Sequence, residues 1–88
     1  MNLQEQHFLR ELGSRLRRHR EERGWTQAQL AQRCDLHRTF IGSVQRGERN
    51  VSILNLRLIA RVLRVSLAEL LAEDPAEDTQ QKRQRKRS

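Results

Sequence analysis

The sequence has no tyrosine, one proline, one cysteine and only two lysines, Lys82 and Lys86. Trp25, Phe8 and Phe40 are its only aromatic rings. Each scarcity excludes something. A single cysteine, Cys34, permits no intrachain disulfide and no thiolate metal cluster, which fits a reducing cytoplasm. No apolar run approaches about 18 residues, so no membrane span is expected. The opening stretch "MNLQEQHFLREL" holds acids and lacks an apolar signal region, so it does not read as a secretory leader. Few rings and 35% hydrophobic residues in 88 leave a modest core, which a second copy of the chain would support.

With only two lysines, the chain takes nearly all its positive charge from arginine. Eighteen Lys and Arg stand against eleven Asp and Glu, a net charge of +7. That balance favours a polyanionic partner, nucleic acid or an acidic membrane surface. The plain alternative is a soluble basic surface without a partner. Arginine presents a planar fork of donors that matches phosphates and guanine edges. Codon bias in a GC-rich genome would produce the same usage without any function.

Catalytic and metal signatures are missing too. His7, His19 and His37 lie far apart, with no HxxxH or HExxH spacing. No GxSxG, GxxxxGK[ST] or GxGxxG pattern is found. An enzyme, a cofactor and a metal site are therefore not expected. Cys34 reads as a small buried apolar residue rather than a redox sensor.

What is present is helical periodicity. Phe8, Leu9, Leu12 and Leu16 form one apolar stripe in a helix over about 3–23, and Gly24 stops it. Thr26 with Gln29 makes a capping box, stapled by Trp25 and Leu30. Ser66 with Glu69, and Val65 with Leu70, repeat both devices. Val51-Ser52 followed by Leu56 has the staple spacing and a serine cap; Leu36-His37 followed by Ile41 has it with a poorer cap. The reading is an all-α chain of five helices, at about 3–23, 27–34, 38–45, 53–64 and 67–72. Residues 1–73 read as one domain, expected to serve both the polyanionic partner, nucleic acid, and dimerisation. Past it, residues 74–88 read as a disordered basic tail, because they contain no apolar residue but Ala76 and Pro75. Its "KRQRKR" run would add sequence-independent DNA affinity or simply be solvated.

Helices 27–34 and 38–45 are joined by Asp35, Leu36 and His37 alone, a helix-turn-helix spacing. Ala31 is small enough for a close crossing. Leu30, Cys34, Leu36, Ile41 and Val44 supply the contacts. Asp35 falls where the turn calls for a left-handed residue, which Asp tolerates better than most. Projected at about 100° per residue, Phe40, Ile41 and Val44 share one sector. Arg38, Thr39, Gly42, Ser43 and Arg46 lie opposite, without an acid among them. Short residues there would allow close approach to a major groove, and arginine would reach guanine O6 and N7.

The run "TQAQLAQRCDLHRTFIGSVQRGER" resembles the Cro/phage-repressor type of helix-turn-helix, also called the xenobiotic-response-element family. The likeness extends from about Leu12 to Leu71. Within it, "LHRTFIGSVQRGERNVSILNLRLIA" is most similar to the controller proteins of restriction–modification systems. That resemblance implies a compact lambda-repressor-like five-helix domain. It implies a homodimer on a palindromic operator in double-stranded DNA. It implies base contacts from Arg38, Thr39, Ser43, Arg46 and Arg49, and phosphate contacts from Gln27, Asn50 and Phe40. Phe40 stands where controllers often carry tyrosine and is also read as packing on the edge of the core. Asp35 replaces a common turn glycine. Activators of this family can contact the transcription machinery through a glutamate at this position, which makes RNA polymerase a candidate partner; Gln45 replaces that acid, which counts against activation here.

Two further expectations remain. Helices 53–64 and 67–72 carry more apolar surface than one side can bury, and Leu54, Leu58, Val62 and Leu67 are the candidate dimer interface. Arg15, Arg18 and Arg20 either line the phosphate backbone or form a solvated basic face. The expected role is a cytoplasmic, nucleoid-associated regulator of a restriction–modification operon. Alternatives are a phage-type or general repressor, an antitoxin that binds both DNA and a toxin, or a protein-binding adaptor.

Overall fold

The computed structural model describes residues 1–72; the expected tail 74–88 lies outside them. Five helices follow in order: α1 Leu3–Glu22, α2 Gln27–Cys34, α3 Arg38–Gln45, α4 Ile53–Leu63 and α5 Leu67–Leu71. Each expected helix is present, with ends shifted by at most one residue. No strand occurs among the described residues.

The helix starts follow from local hydrogen bonding. Thr26 accepts from the Gln29 N–H at 3.1 Å, and the Gln29 side chain accepts from the Thr26 N–H at 2.8 Å. Ser66 and Glu69 form the same reciprocal box at α5. Ser52 caps α4 through the Asn55 N–H. A further box, unforeseen in the sequence, joins Asn2 and Glu5 at α1. Only α3 starts without a side-chain cap, at His37. Tertiary packing must hold its first turn, because a cap worth about 1 kcal/mol is missing.

The helix ends are equally local. Asp35 adopts the expected left-handed conformation at φ 56, and the Leu36 N–H closes onto the Ala31 carbonyl at 2.9 Å. Arg64 repeats this after α4 at φ 60, with Val65 closing onto Ala60 at 3.0 Å. Neither is glycine, so each turn carries a backbone cost of about 1 kcal/mol that the core offsets.

Two apolar clusters form that core. Leu16, Leu30, Ala31, Cys34, Ile41, Val44, Ile59 and Leu63 join the helix-turn-helix to α1 and α4. Leu9, Leu12, Leu56, Ala60 and Leu70 join α1 to α4 and α5. Full burial of one such aliphatic side chain contributes about 1.5–3 kcal/mol.

The crossing of α1 over the end of α3 is made by glycine. A Cβ on Gly13 would lie 2.6 Å from the Val44 carbonyl oxygen. Gly47, at φ +74, meets the Arg10 backbone in the same way, a Cβ there falling 2.9 Å from Arg10 Cα. Any side chain at Gly13 would push α3 off α1.

Candidate nucleic-acid interface

The second helix of the motif, α3, is held from below. Ile41 and Val44 are fully buried, while Arg38 and Thr39 project at its first turn and stay exposed. Beside them runs an open groove of about 470 Å³ lined by Thr26, Gln27, Ala28, Arg38, Thr39, Gly42 and Arg46. The N-terminus of α2 and the outer face of α3 therefore share one concave, basic surface. A helix N-terminus presents free N–H groups to an anion, and arginine supplies full charge beside it.

Gly42 is not bare to that groove. It is buried, and the Gln27 and Arg46 side chains lie over it, so a Cβ there would meet Arg46 Nη1 at 3.2 Å and Gln27 Oε1 at 3.4 Å. The missing side chain makes room for these two groups. Gln27 is half-buried as a result.

Ser43 departs from the expectation. Helical projection puts it with Arg38 and Thr39 on the outer face, but it is only 8% exposed. Its hydroxyl donates to the Phe40 carbonyl at 2.8 Å and accepts from Arg49 Nε at 3.1 Å. The reason is the crowding of the chain that returns from Gly47, where the Glu48 N–H closes onto the Ser43 carbonyl at 3.0 Å. The Phe40 ring is half-buried and lies 5.2 Å from the Arg49 guanidinium carbon, under its face.

Arg46 and Arg49 are exposed but differ in their partners. Arg46 Nε donates to Glu48 Oε2 at 3.0 Å, both side chains 57% exposed. The outer face of α3 lacks an acid of its own, yet one reaches it from just beyond the helix. Arg49 contacts Ser43 and Phe40 and, among the described residues, no carboxylate. Asn50 is exposed and borders a separate hollow of about 260 Å³ with Met1, Glu5, Phe8 and Leu9.

The first helix contributes support. Arg20 is 8% exposed; it donates to the Trp25 carbonyl and, through Nη2, to Gln45 Oε1 at 3.3 Å. Arg20 is thus a structural tie and not a lining for phosphates. Arg15 is largely buried beside Glu11, whereas Arg18 is exposed. Arg33 stacks over the Trp25 ring at 4.2 Å, which fixes the entry to α2.

The expected dimer residues separate. Leu54 is 70% exposed and its neighbour Ile53, not among the expected interface residues, 57%. Leu58 and Val62 are half-buried against the first cluster, and Leu67 against the second. The buried row of α4, Leu56, Ile59, Ala60 and Leu63, draws these flanking residues partly inward. On α4, Ile53 and Leu54 remain as an open apolar patch.

Cys34 is buried in the first cluster, and burial pushes its thiol pKa up to about 11. Among the described residues no group of three His, Cys, Asp or Glu could hold a metal ion, and no helix is long and apolar enough to cross a membrane.

Known proteins share this sequence and geometry. A helix-turn-helix family model matches residues 16–70. The chain is 43% identical over 60 residues to the control protein C.SmaI of Serratia marcescens, covering 68% of this chain and 71% of that one. In structure it is similar to the restriction-modification controller protein C.AhdI of Aeromonas hydrophila, with TM-score 0.69 and 40% identity over 70% of this chain and 94% of that chain. It is also similar to C.Esp1396I in a nucleoprotein complex, with TM-score 0.64 and 31% identity over 76% of this chain and 96% of that chain. This chain therefore belongs to the helix-turn-helix family, in its Cro/phage-repressor type, and is of the restriction-modification controller kind.

Proposed function

We infer that the chain is a sequence-specific DNA-binding transcriptional regulator that acts as a homodimer on a two-fold-symmetric operator and controls a restriction–modification operon. One observation carries the reading: Arg38, Thr39 and Arg46 border a single groove with the N-terminus of α2. In a major groove, Arg38 would fork onto guanine and Thr39 would touch an adjacent base edge. Gln27, at the first turn of α2, would bond phosphate and set the register. Arg49 would add a further base or backbone contact, and Asn50 a phosphate contact.

A symmetric dimer places two reading helices about 34 Å apart, one turn of DNA. The patch of Ile53 and Leu54, continued by Leu58, Val62 and Leu67, is the surface on which a second copy would sit. Contact with RNA polymerase would not run through position 45, where Gln45 is turned to Arg20. That favours repression, or activation through other residues.

Selection of bound duplexes from a random pool tests the reading. A palindrome with half-sites about one turn apart is expected, and sedimentation of the free protein at micromolar concentration should give a dimer. Recovery of no common site, or a monomer that binds every duplex equally, would sink it. Arg38→Ala should cost about 1–3 kcal/mol on the selected site and relax base preference at one position.

A further inference from the structure

We propose that Ser43 is a positioning residue: with Phe40 it holds the Arg49 guanidinium in one orientation, leaving the Nη1/Nη2 edge to grip a paired acceptor on DNA. This rests on the DNA-binding reading and gives Ser43 a different part from a direct base contact.

The hydrogen bonds fix the direction of each group. A serine hydroxyl has one proton, and Ser43 gives it to the Phe40 carbonyl at 2.8 Å. Its lone pairs are thereby turned to Arg49 Nε, which donates at 3.1 Å. Because Ser43 is only 8% exposed, water competes poorly for that oxygen. The Arg49 guanidinium carbon lies over the Phe40 ring, 5.2 Å from its centroid, a cation–π contact. Held at Nε and over the ring, the guanidinium has no hydrogen-bond partner at either terminal nitrogen among the described residues.

Charge points the same way. Arg46, two residues past Val44, ends on the Glu48 carboxylate. Arg49 has no such partner among the described residues, so its charge is held in place without being neutralised. Two parallel donors with uncompensated charge suit two acceptors side by side. On a duplex these are the O6 and N7 of one guanine or two oxygens of one phosphate. An arginine ordered before binding loses less conformational freedom on contact.

The test is a double-mutant cycle with a DNA-free signature. In the free wild-type protein, the Arg49 Nε–H resonance should be shifted and slow to exchange; in Ser43→Ala it should move to the position of a solvated arginine. Ser43→Ala should weaken binding to the selected site about two- to tenfold, the range for ordering one long side chain. In an Arg49→Lys background, which keeps the charge but removes Nε, the same change should have no further effect. Replacing operator guanines by 7-deazaguanine separates the two acceptors: loss of the Ser43 effect at one position marks a guanine, and an equal effect on random duplexes marks phosphate. Equal losses in both backgrounds, or an Arg49 Nε–H signal indifferent to Ser43→Ala, would overturn the proposal. Failure of the wild type to select any site is visible before a variant is made and would count against the function instead.

Discussion

Arg20, near the end of α1, donates through Nη2 to Gln45 Oε1 at 3.3 Å at the last residue of α3. The pair is incomplete. Arg20 Nε and Gln45 Nε2 are both buried without a hydrogen-bond partner. An amide places a donor where the guanidinium needs a second acceptor. Gln45→Glu would remove one orphan donor and supply the missing oxygen. The expected result is a gain of about 1 kcal/mol, after the desolvation of the new charge. Urea denaturation at pH 7 would read it; a loss of stability would mean that desolvation wins.

Gly13→Ala should destabilise the domain by about 1–3 kcal/mol, the usual cost of overpacking. Its methyl would collide with the Val44 carbonyl, and backbone cannot swing aside as a side chain can. A shift of the urea midpoint without a change of slope would confirm a folded but weakened protein. An unchanged midpoint would show that α1 and α3 separate freely.

Glu48→Gln should tighten binding to any duplex by about two- to fivefold near 0.1 M salt, the scale of an exposed ion pair. Glu48 holds Arg46 through an exposed ion pair, and its charge would repel the DNA that Arg46 would approach. The gain should shrink as salt rises. Equal affinities for the two proteins would place Arg46 away from DNA.

Cys34 gives a pH signature. Its thiol pKa is raised to about 11 by burial, whereas an unfolded cysteine ionises near about 8.5. The folded chain thus keeps a proton that the unfolded chain releases. The contribution is whole below about pH 8.5 and is lost as pH rises towards 11. With no tyrosine and only two lysines in the chain, few other groups titrate there. The urea midpoint of the wild type should fall from pH 8 to pH 10.5 more steeply than that of Cys34→Ala. Parallel curves would contradict the burial.

The helices were legible in the sequence because their starts and stops are local. Thr26, Ser52 and Ser66 each satisfy an N–H within three residues, and Asp35 turns the chain by its own backbone angle. The exposure of Arg38 and Thr39 was legible too, since helical projection separates them from Ile41 and Val44. Projection failed at Ser43 because burial there comes from the returning chain around Glu48, which no single-helix view contains. For Leu58 and Val62 it gives half the answer, because their faces are shared between core and surface. The Gly13 crossing and the Arg20–Gln45 tie join residues far apart in sequence, with neutral local signals.

The glycine crossing bears on how operators are accommodated. With Gly13 against the Val44 carbonyl and Gly47 against Arg10, the reading helix is packed backbone to backbone on its own scaffold, which resists tilting or sliding. Each subunit then behaves as a rigid gauge. Half-sites spaced slightly away from one turn are met by bending or twisting the DNA, so sequence flexibility between the half-sites becomes part of what is read.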